Sequence, residues 1–480
     1  MSATATNPFL YLQKNADENP RGVFLHTPTL TITNADAIVQ IKKIAFELRR
    51  IGVTAGEIVA LDLPDQLSIL FTEAVYHEGG ISTVIPDGAV VDPRVPVKWL
   101  FTNRGTTPPS TAQSVQVDAR FLRQIEENPY GISPSEEPIE TLRIVFSSGT
   151  TGTPKAIELG RRMEALMDAA LPQWFQGSPY LSLMDTGTVS GIGEFFLSVK
   201  GGQPYLSVGG ATPAVLVEFI DKHQVKTLKG SPAQVIAIID ELERQGRTLP
   251  SVQAAMLAGT VMPPAASDRA RAAFEGCLVL AQYGSTEAGG ATNRPYESED
   301  PFDVGFVQPG STVEVVDEDD EPVAQGVVGR IRHRSPGMAH GYLGDPEATA
   351  AAFHDGWFYP GDLGYFREDG GLTLTGRESE VLNAGGVKVD PNRIDHVATQ
   401  QPGVLDAASF AFESASGILG VGVALVTDDD VDVQAVIAAL QAEFGVAAPT
   451  LVARVEAIPR SRTGKPLRRE LAERYGDGAR

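Results

Sequence analysis

The chain has 480 residues, 42% of them hydrophobic and 21% charged, an ordinary globular balance with length enough for two to four domains. Its net charge of −22 repels nucleic acid and anionic membrane, so neither is expected as a partner, whereas a small anionic substrate meets only a local field. The single cysteine, Cys277, excludes an internal disulfide framework and a cysteine-built metal site, and its apolar setting reads as core rather than nucleophile.

Met1 to Pro8 carries neither a basic nor an apolar leader region, and no apolar run approaches the roughly 18 residues of a membrane span. A soluble cytoplasmic protein without a signal peptide is therefore expected. Asn34 to Ile51 reads as an amphipathic helix with Ile38, Ile41, Ala45 and Leu48 on one face, capped by Asn34 and ended by Gly52. A strand over Ile58 to Leu63 and a helix through Leu67, Leu70, Phe71 and Ala74 follow, and this alternation predicts an α/β layer with parallel strands. Residues 86–140 carry no readable periodicity.

Leu142 to Phe146 reads as a buried strand ending in Ser147-Ser148-Gly149-Thr150-Thr151-Gly152-Thr153-Pro154-Lys155. Two glycines, five hydroxyls and a lysine compose a phosphate cradle. The same composition also suits a flexible surface loop. It is not a Walker A loop, because Pro154 and Ala156 stand where glycine and a hydroxyl residue belong.

Further on, the pattern predicts a helix over Arg161 to Ala170 and a strand over Tyr180 to Met184. Asp185 to Gly193 looks too glycine-rich for regular structure, with helix over Glu194 to Val199. Thr212 to His223, Pro232 to Gln245 and Ala265 to Phe274 read as helices. Val252 to Ala258 and Cys277 to Ala281 read as strands. Polar or glycine-rich loops are thus expected after three strands, at residues 147, 259 and 283, and open α/β sheets bind ligands at such ends.

From Gly305 to Thr375 the texture is short β runs and tight turns, a small barrel or meander, with Asp317-Glu318-Asp319-Asp320 as a solvated hairpin tip. Residues 380–480 read as a compact α+β unit: helix near Pro391 to Gln400, strands at Val404 to Phe410 and Leu419 to Val426, helix over Val431 to Phe444 and strand Leu451 to Val455. The fold class expected is α/β: a large N-terminal domain (1–376) of layered sheets plus a small β-barrel, a hinge at 377–379, and a small, mobile C-terminal lid (380–480).

Six separated stretches carry a family likeness: Ser147 to Lys155; Tyr283-Gly284-Ser285-Thr286-Glu287; Gly341-Tyr342 with Pro346-Glu347-Ala348-Thr349; Tyr359-Pro360-Gly361-Asp362; Gly376-Arg377; and Arg462-Thr463-Gly464-Lys465. In this order they resemble the adenylate-forming enzymes, the superfamily of acyl- and aryl-CoA synthetases, nonribosomal adenylation domains and firefly luciferase. The resemblance spans essentially the whole chain.

It implies a two-step reaction in which a carboxylate attacks the α-phosphate of ATP and a thiol, of CoA or of carrier-protein phosphopantetheine, then takes the acyl group. It implies that Ser147 to Lys155 wraps the β- and γ-phosphates. Thr286 would contact the α-phosphate and Glu287 would hold Mg²⁺. Tyr283 would stack on adenine opposite Gly259, Thr260 and Val261, with Gln282, Gly284, Ser285 and Leu374 also at the nucleotide. Asp362 would bind the ribose beside Arg377, and Lys465 would bridge carboxylate and α-phosphate. Ser379 would be the hinge, where many relatives have Asp or Lys, and Gly385, Gly386 and Lys388 would belong to the thiolation loop.

Taken singly, Tyr283 also reads as core, Glu287 as a cap or surface acid, Asp362 as a turn residue, and Lys388 and Lys465 as surface lysines. The acid pocket is expected around Asp185, Thr188, Val189 and Gly191, without the histidine or aromatic that often gates it. That suits a bulky acid; amine binding by Asp185 and a plain loop aspartate are the alternatives. An acyl-CoA synthetase for a bulky or aromatic acid, monomeric or homodimeric, is the expected protein. A stand-alone enzyme loading a carrier protein and an inactive nucleotide-binding regulator are the rivals.

Overall fold

A computed structural model describes residues 7–85, 93–103, 112–137, 140–147, 154–160, 167, 178–259, 264–295, 300, 302–380, 382–384, 387–413, 419–460 and 466–476. The chain divides into two compact units. The first comprises residues up to 301 with 305–312 and 333–358; the second comprises 302–304, 313–332 and 359 onward.

In the first unit, strand and helix alternate as their periodicity predicts. Helix Asn34–Ile51 buries Ile38, Ile41, Ala45 and Leu48 and stops where Gly52 turns left-handed at φ 102. Its cap is Thr33, not Asn34: the Thr33 hydroxyl accepts from the Asp36 amide, and Asn34 is already helical. Strand Ile58–Asp62 is wholly buried, and helix Asp65–His77 follows it.

The stretch without readable pattern contains strands Val97–Thr102 and Gln113–Gln116 and helix Ala119–Glu127. The helix buries Ile125, with Phe121 and Leu122 packed against the same core. The resulting six-stranded sheet is parallel from Gln113–Gln116 across to Thr141–Phe146, and Ala156–Gly160 closes it as an antiparallel edge.

A second parallel set runs Tyr180–Ser182, Thr227–Gly230, Ala254–Ala258, Leu278–Ser285 and continues into antiparallel Gly289–Pro295. Helices Pro213–Lys222, Pro232–Gln245 and Pro264–Ala273 accompany it. Leu181, Leu228, Ala255 and Val279 form its core with Ile238, Ile239 and Leu242. Burial of these strands leaves their polar C-terminal extensions as the accessible chemistry.

Two further expectations fail. Val189–Gly201 is one helix, so Val189 to Gly193 are helical despite two glycines. Thr188 caps its start, and Ile192, Phe195, Phe196 and Val199 bury its inner face, which outweighs weak local propensity. Gln282 to Ser285 are strand rather than loop, because they pair with Gly289 to Asn293 across a tight hairpin. The helix expected over Arg161 to Ala170 lies outside the described residues except Met167, which is buried.

Strands Thr312–Val316 and Gly329–Arg334, mostly in the second unit, and Asp362–Phe366 and Leu372–Arg377, wholly in it, contribute the expected β meander. The acidic tip is exposed at Asp317 to Asp319, while Asp320 accepts from Arg330 at 2.9 Å and Tyr359 at 3.0 Å. After residue 380, helix Pro391–Thr399 and helix Val433–Phe444 pack on strands Val404–Glu413, Leu419–Thr427 and Leu451–Arg454 through Ile394, Val423, Leu425, Val436 and Leu440.

One buried acid in the first unit has a thermodynamic consequence. Glu73, on helix Asp65–His77, is fully buried, and neither carboxyl oxygen has a hydrogen-bond partner among the described residues. Desolvation pushes its carboxyl up from 4.5 to about 8. The folded protein therefore holds this proton more tightly than the unfolded chain. The stabilisation is full below pH 4.5 and is lost as pH rises toward 8, at a limiting slope of about 1.4 kcal/mol per pH unit. Glu73→Gln is expected to flatten the stability–pH curve between those values and to raise Tm at pH 8, as measured by calorimetry across the range.

Candidate active site

The loop base is built by two strands. Thr141–Phe146 pairs antiparallel with Ala156–Gly160, with Phe146 opposite Ala156, and the Ser147 amide donates to the Lys155 carbonyl at 2.9 Å. Ser147 is buried at this neck. Ser148, Gly149, Thr150, Thr151, Gly152 and Thr153 lie outside the described residues.

Lys155 emerges with its Nζ 4.5 Å from the ring centroid of Tyr342, a cation–π contact. On its other side, the Tyr342 hydroxyl donates to Glu287 Oε1 at 3.0 Å. Tyr342 and Glu287 are each only 8% exposed. The tyrosine is held by its backbone: its amide donates to Thr349 Oγ1 at 2.9 Å, and the next amide, Leu343, donates to the Ala156 carbonyl at 2.8 Å. Gly341 lets the chain pass, since a Cβ there would lie 2.3 Å from Thr349 Cγ2. The loop base and the acid Glu287 thus converge on Tyr342. The family motif contained this residue without a role for it; the Gly-Tyr pair was the available signal.

Glu287 is fixed by the hairpin that follows Leu278–Ser285. Ser285 Oγ accepts from the Ala288 amide at 3.0 Å, and the Glu287 carbonyl accepts from the Ala339 amide at 2.7 Å. Gly284 faces Gly290 where the register shifts, and a Cβ on it would sit 2.3 Å from the Gly289 carbonyl oxygen, so only glycine fits. Tyr283 and Thr286 are half-buried, on the strand and in the turn after it. Ala258 and Gln282 are register partners, so Gly259 and Tyr283 are the next residues on neighbouring parallel strands. Gly259 has φ 97, and a Cβ there would meet nothing within 4 Å. Thr260 and Val261 lie outside the described residues.

The Asp185 turn is self-satisfied. Asp185 Oδ1 accepts from the Gly187 amide at 2.6 Å, and its carbonyl accepts from Thr188 Oγ1 at 2.7 Å. Thr188 Oγ1 accepts in turn from the Gly191 amide at 3.1 Å. A Cβ on Gly191 would lie 2.3 Å from the Asp185 carbonyl oxygen. Asp185 is exposed and Val189 half-buried.

In the second unit, Asp362 and Arg377 are register partners, with Arg377 Nε donating to Asp362 Oδ1 at 2.6 Å. Asp362 is buried, a charge-assisted pair rather than a plain turn aspartate. Leu374 lies on the same hairpin opposite Gly364, and its amide donates to the Phe302 carbonyl at 2.9 Å. Ser379 is exposed in the turn that follows Arg377. Lys388 lies on strand Val387–Val389 opposite Asn383, while Gly385, Gly386 and Lys465 lie outside the described residues. Arg460 and Pro466 bridge the two ends of the segment that holds Lys465.

Parallel sheets whose strand ends carry a Gly/Ser/Thr loop, a buried acid and a capped turn define an α/β ligand-binding enzyme fold. Residues 12–343 match the family model of the AMP-binding enzymes, and the chain belongs to that family, the adenylate-forming enzymes. It is 28% identical over 385 residues to the fatty acid–[acyl-carrier-protein] ligase MmaC of Mycobacterium marinum, covering 71% of this chain and 70% of that protein. It is 29% identical over 366 residues to 4-coumarate–CoA ligase-like 6 of Oryza sativa subsp. japonica, covering 69% and 60% respectively. The amide bond synthetase McbA of Marinactinospora thermotolerans shares the fold, with a TM-score of 0.82 at 22% identity over 98% of this chain and 100% of that one.

Tyr342→Phe removes the hydroxyl that donates to buried Glu287 and is expected to cost about 1–3 kcal/mol of stability, read as a lower Tm in calorimetry. An unchanged Tm would show that the hydrogen bond holds nothing in place.

Proposed function

We propose that this AMP-forming ligase activates a bulky or aromatic carboxylic acid with ATP and passes the acyl group to the thiol of CoA. The observation that carries this reading is the convergence of Lys155 and Glu287 on Tyr342, beside the loop neck at Ser147. In the first step a carboxylate oxygen bonds to the α-phosphorus, and the bond to the α–β bridging oxygen breaks, releasing pyrophosphate. In the second a thiolate sulfur bonds to the acyl carbon, and AMP leaves with the former carboxylate oxygen. The acid supplies its own nucleophile, so the protein's task is positioning and charge stabilisation.

Ser147 to Lys155 then holds the β- and γ-phosphates, with Lys155 moving off the Tyr342 ring to meet them. Thr286 donates to the α-phosphate. Tyr283 offers a ring face to adenine, with Gly259 beside it. Asp362 accepts from the ribose hydroxyls, its orientation set by Arg377. Asp185, Thr188, Val189 and Gly191 border the acid.

No group of three His, Cys, Asp or Glu side chains suited to a metal occurs among the described residues. A single buried carboxylate is what a Mg²⁺ carried by ATP phosphates requires, and Glu287 fits it, held by Tyr342. When bound, the ion would neutralise phosphate charge; Glu287 would hold it, and Tyr342 would keep the carboxylate aimed.

Residues 380–480 act as the lid about Ser379. Lys465 serves adenylation, and Gly385, Gly386 and Lys388 serve thiolation. Carrier-protein phosphopantetheine is the second acceptor to consider, favoured by the likeness to MmaC, a ligase for an acyl-carrier protein.

ATP–pyrophosphate exchange across a panel of aromatic and aliphatic acids tests the first step, and absence of exchange with every acid would refute the reading. Acyl transfer to CoA against holo-carrier protein decides the acceptor. Lys465→Ala is expected to abolish exchange, by at least about a hundredfold, while thioester formation from supplied acyl-adenylate persists. Near wild-type exchange in that variant would remove Lys465 from adenylation.

A further inference from the structure

Arg143 lies four residues before the loop neck at Ser147, on strand Thr141–Phe146, with its side chain wholly buried. Its sequence setting, Leu142-Arg143-Ile144-Val145, disguises it within an apolar run. An enclosed guanidinium is costly unless its donors are used. Among the described residues it is not paired directly with a carboxylate. Nη2 donates to the Thr186 carbonyl at 2.6 Å, and Nη1 donates to Ser82 Oγ at 3.0 Å and Thr72 Oγ1 at 3.4 Å. Nε has no partner among the described residues.

Thr186 is held from its other side as well. Its hydroxyl donates to Asp65 Oδ1 at 3.3 Å, and Asp65 also accepts from Ser207 Oγ. Burial lowers the pKa of the guanidinium, opposed through space first by Tyr76 and then by Asp185. Thr186 belongs to the turn between Asp185 and Thr188, and that turn is packed without slack. A Cβ on Gly187 would lie 2.7 Å from Asp185 Oδ1, and one on Gly191 would lie 2.3 Å from the Asp185 carbonyl oxygen.

We propose that Arg143 is a positioning residue that sets the distance between the strand end at Ser147 and the acid-binding turn. Its backbone belongs to the strand that ends at the loop neck, and its guanidinium grips the carbonyl of the turn. Displacement of a carboxylate relative to the α-phosphate by about 1 Å is enough to cost a large factor in rate. The inference rests on the reading of Asp185 to Gly191 as the acid side of the site.

The test uses Arg143→Met, which keeps length and removes charge and donors, and Arg143→Lys, which keeps charge and loses the fork. Two readouts are taken on full-length protein below its Tm. Amide hydrogen exchange over residues 186–192 reports the clamp directly. Pyrophosphate exchange with cinnamate and octanoate as probes gives KM for acid and for ATP separately. Arg143→Met is expected to speed exchange of the turn amides and raise the acid KM about tenfold, with ATP KM within about twofold. Arg143→Lys should fall between and answers the question if the methionine variant does not fold.

Unchanged amide exchange in a folded variant overturns the clamp. Faster amide exchange with both KM values unchanged, or with both raised alike, overturns its role in placing the acid. If wild type exchanges with no acid of the aromatic and aliphatic panel, the acid-ligase reading falls on that result alone, and amide exchange still decides whether Arg143 holds the turn.

Discussion

A buried polar group costs free energy unless it is hydrogen-bonded, and the contacts around Glu287 answer that requirement. The Tyr342 hydroxyl supplies a donor at 3.0 Å, and the carboxylate stays beneath the surface while the loop lysine lies against the other side of the same ring. Much of the nearby backbone follows from placing Tyr342. Gly341 must pass Thr349 at a distance no side chain permits, Leu343 must reach Ala156, and Ala339 must reach the Glu287 carbonyl. Glu73 is the contrast within the same unit. Fully buried, with neither oxygen bonded among the described residues, it is pushed to a pKa of about 8.

The net charge of −22 therefore says little about what the site attracts. Potential at a point on the protein is set by the few groups nearest it rather than by the total charge. The two parallel strand sets share a logic: apolar interiors bury the strands, and polar residues gather at the carboxyl ends, where loops are free to vary. The Asp362–Arg377 pair in the second unit repeats the buried-acid solution with a guanidinium in place of a phenol.

Helices with a full apolar face, such as Asn34–Ile51 and Pro232–Gln245, were legible in the sequence because their burial follows local periodicity. The same holds for the strands that precede the three candidate loops. Val189 to Gly193 were not legible: two glycines lower local propensity, and only packing of Phe195 and Phe196 with the Thr188 cap makes them helical. Gln282 to Ser285 look like a polar loop because their pairing partner, Gly289 to Asn293, is visible only once the hairpin closes. Tyr342 and Arg143 escaped for a related reason, since each gains its meaning from groups 55 and 43 residues away, Glu287 and the Thr186 carbonyl.

The sequence by itself determined the family, because six short motifs in a fixed order are a one-dimensional property. It also determined the alternation of strand and helix, which depends on neighbours three or four residues apart. Only the tertiary structure decided which side chains meet. That Lys155, Tyr342 and Glu287 form one contact chain, and that a buried arginine ties a loop-bearing strand to the Asp185 turn, depends on contacts between segments far apart in sequence. Burial then magnifies those contacts, because a donor or charge shielded from water is governed by whatever partner the fold brings beside it.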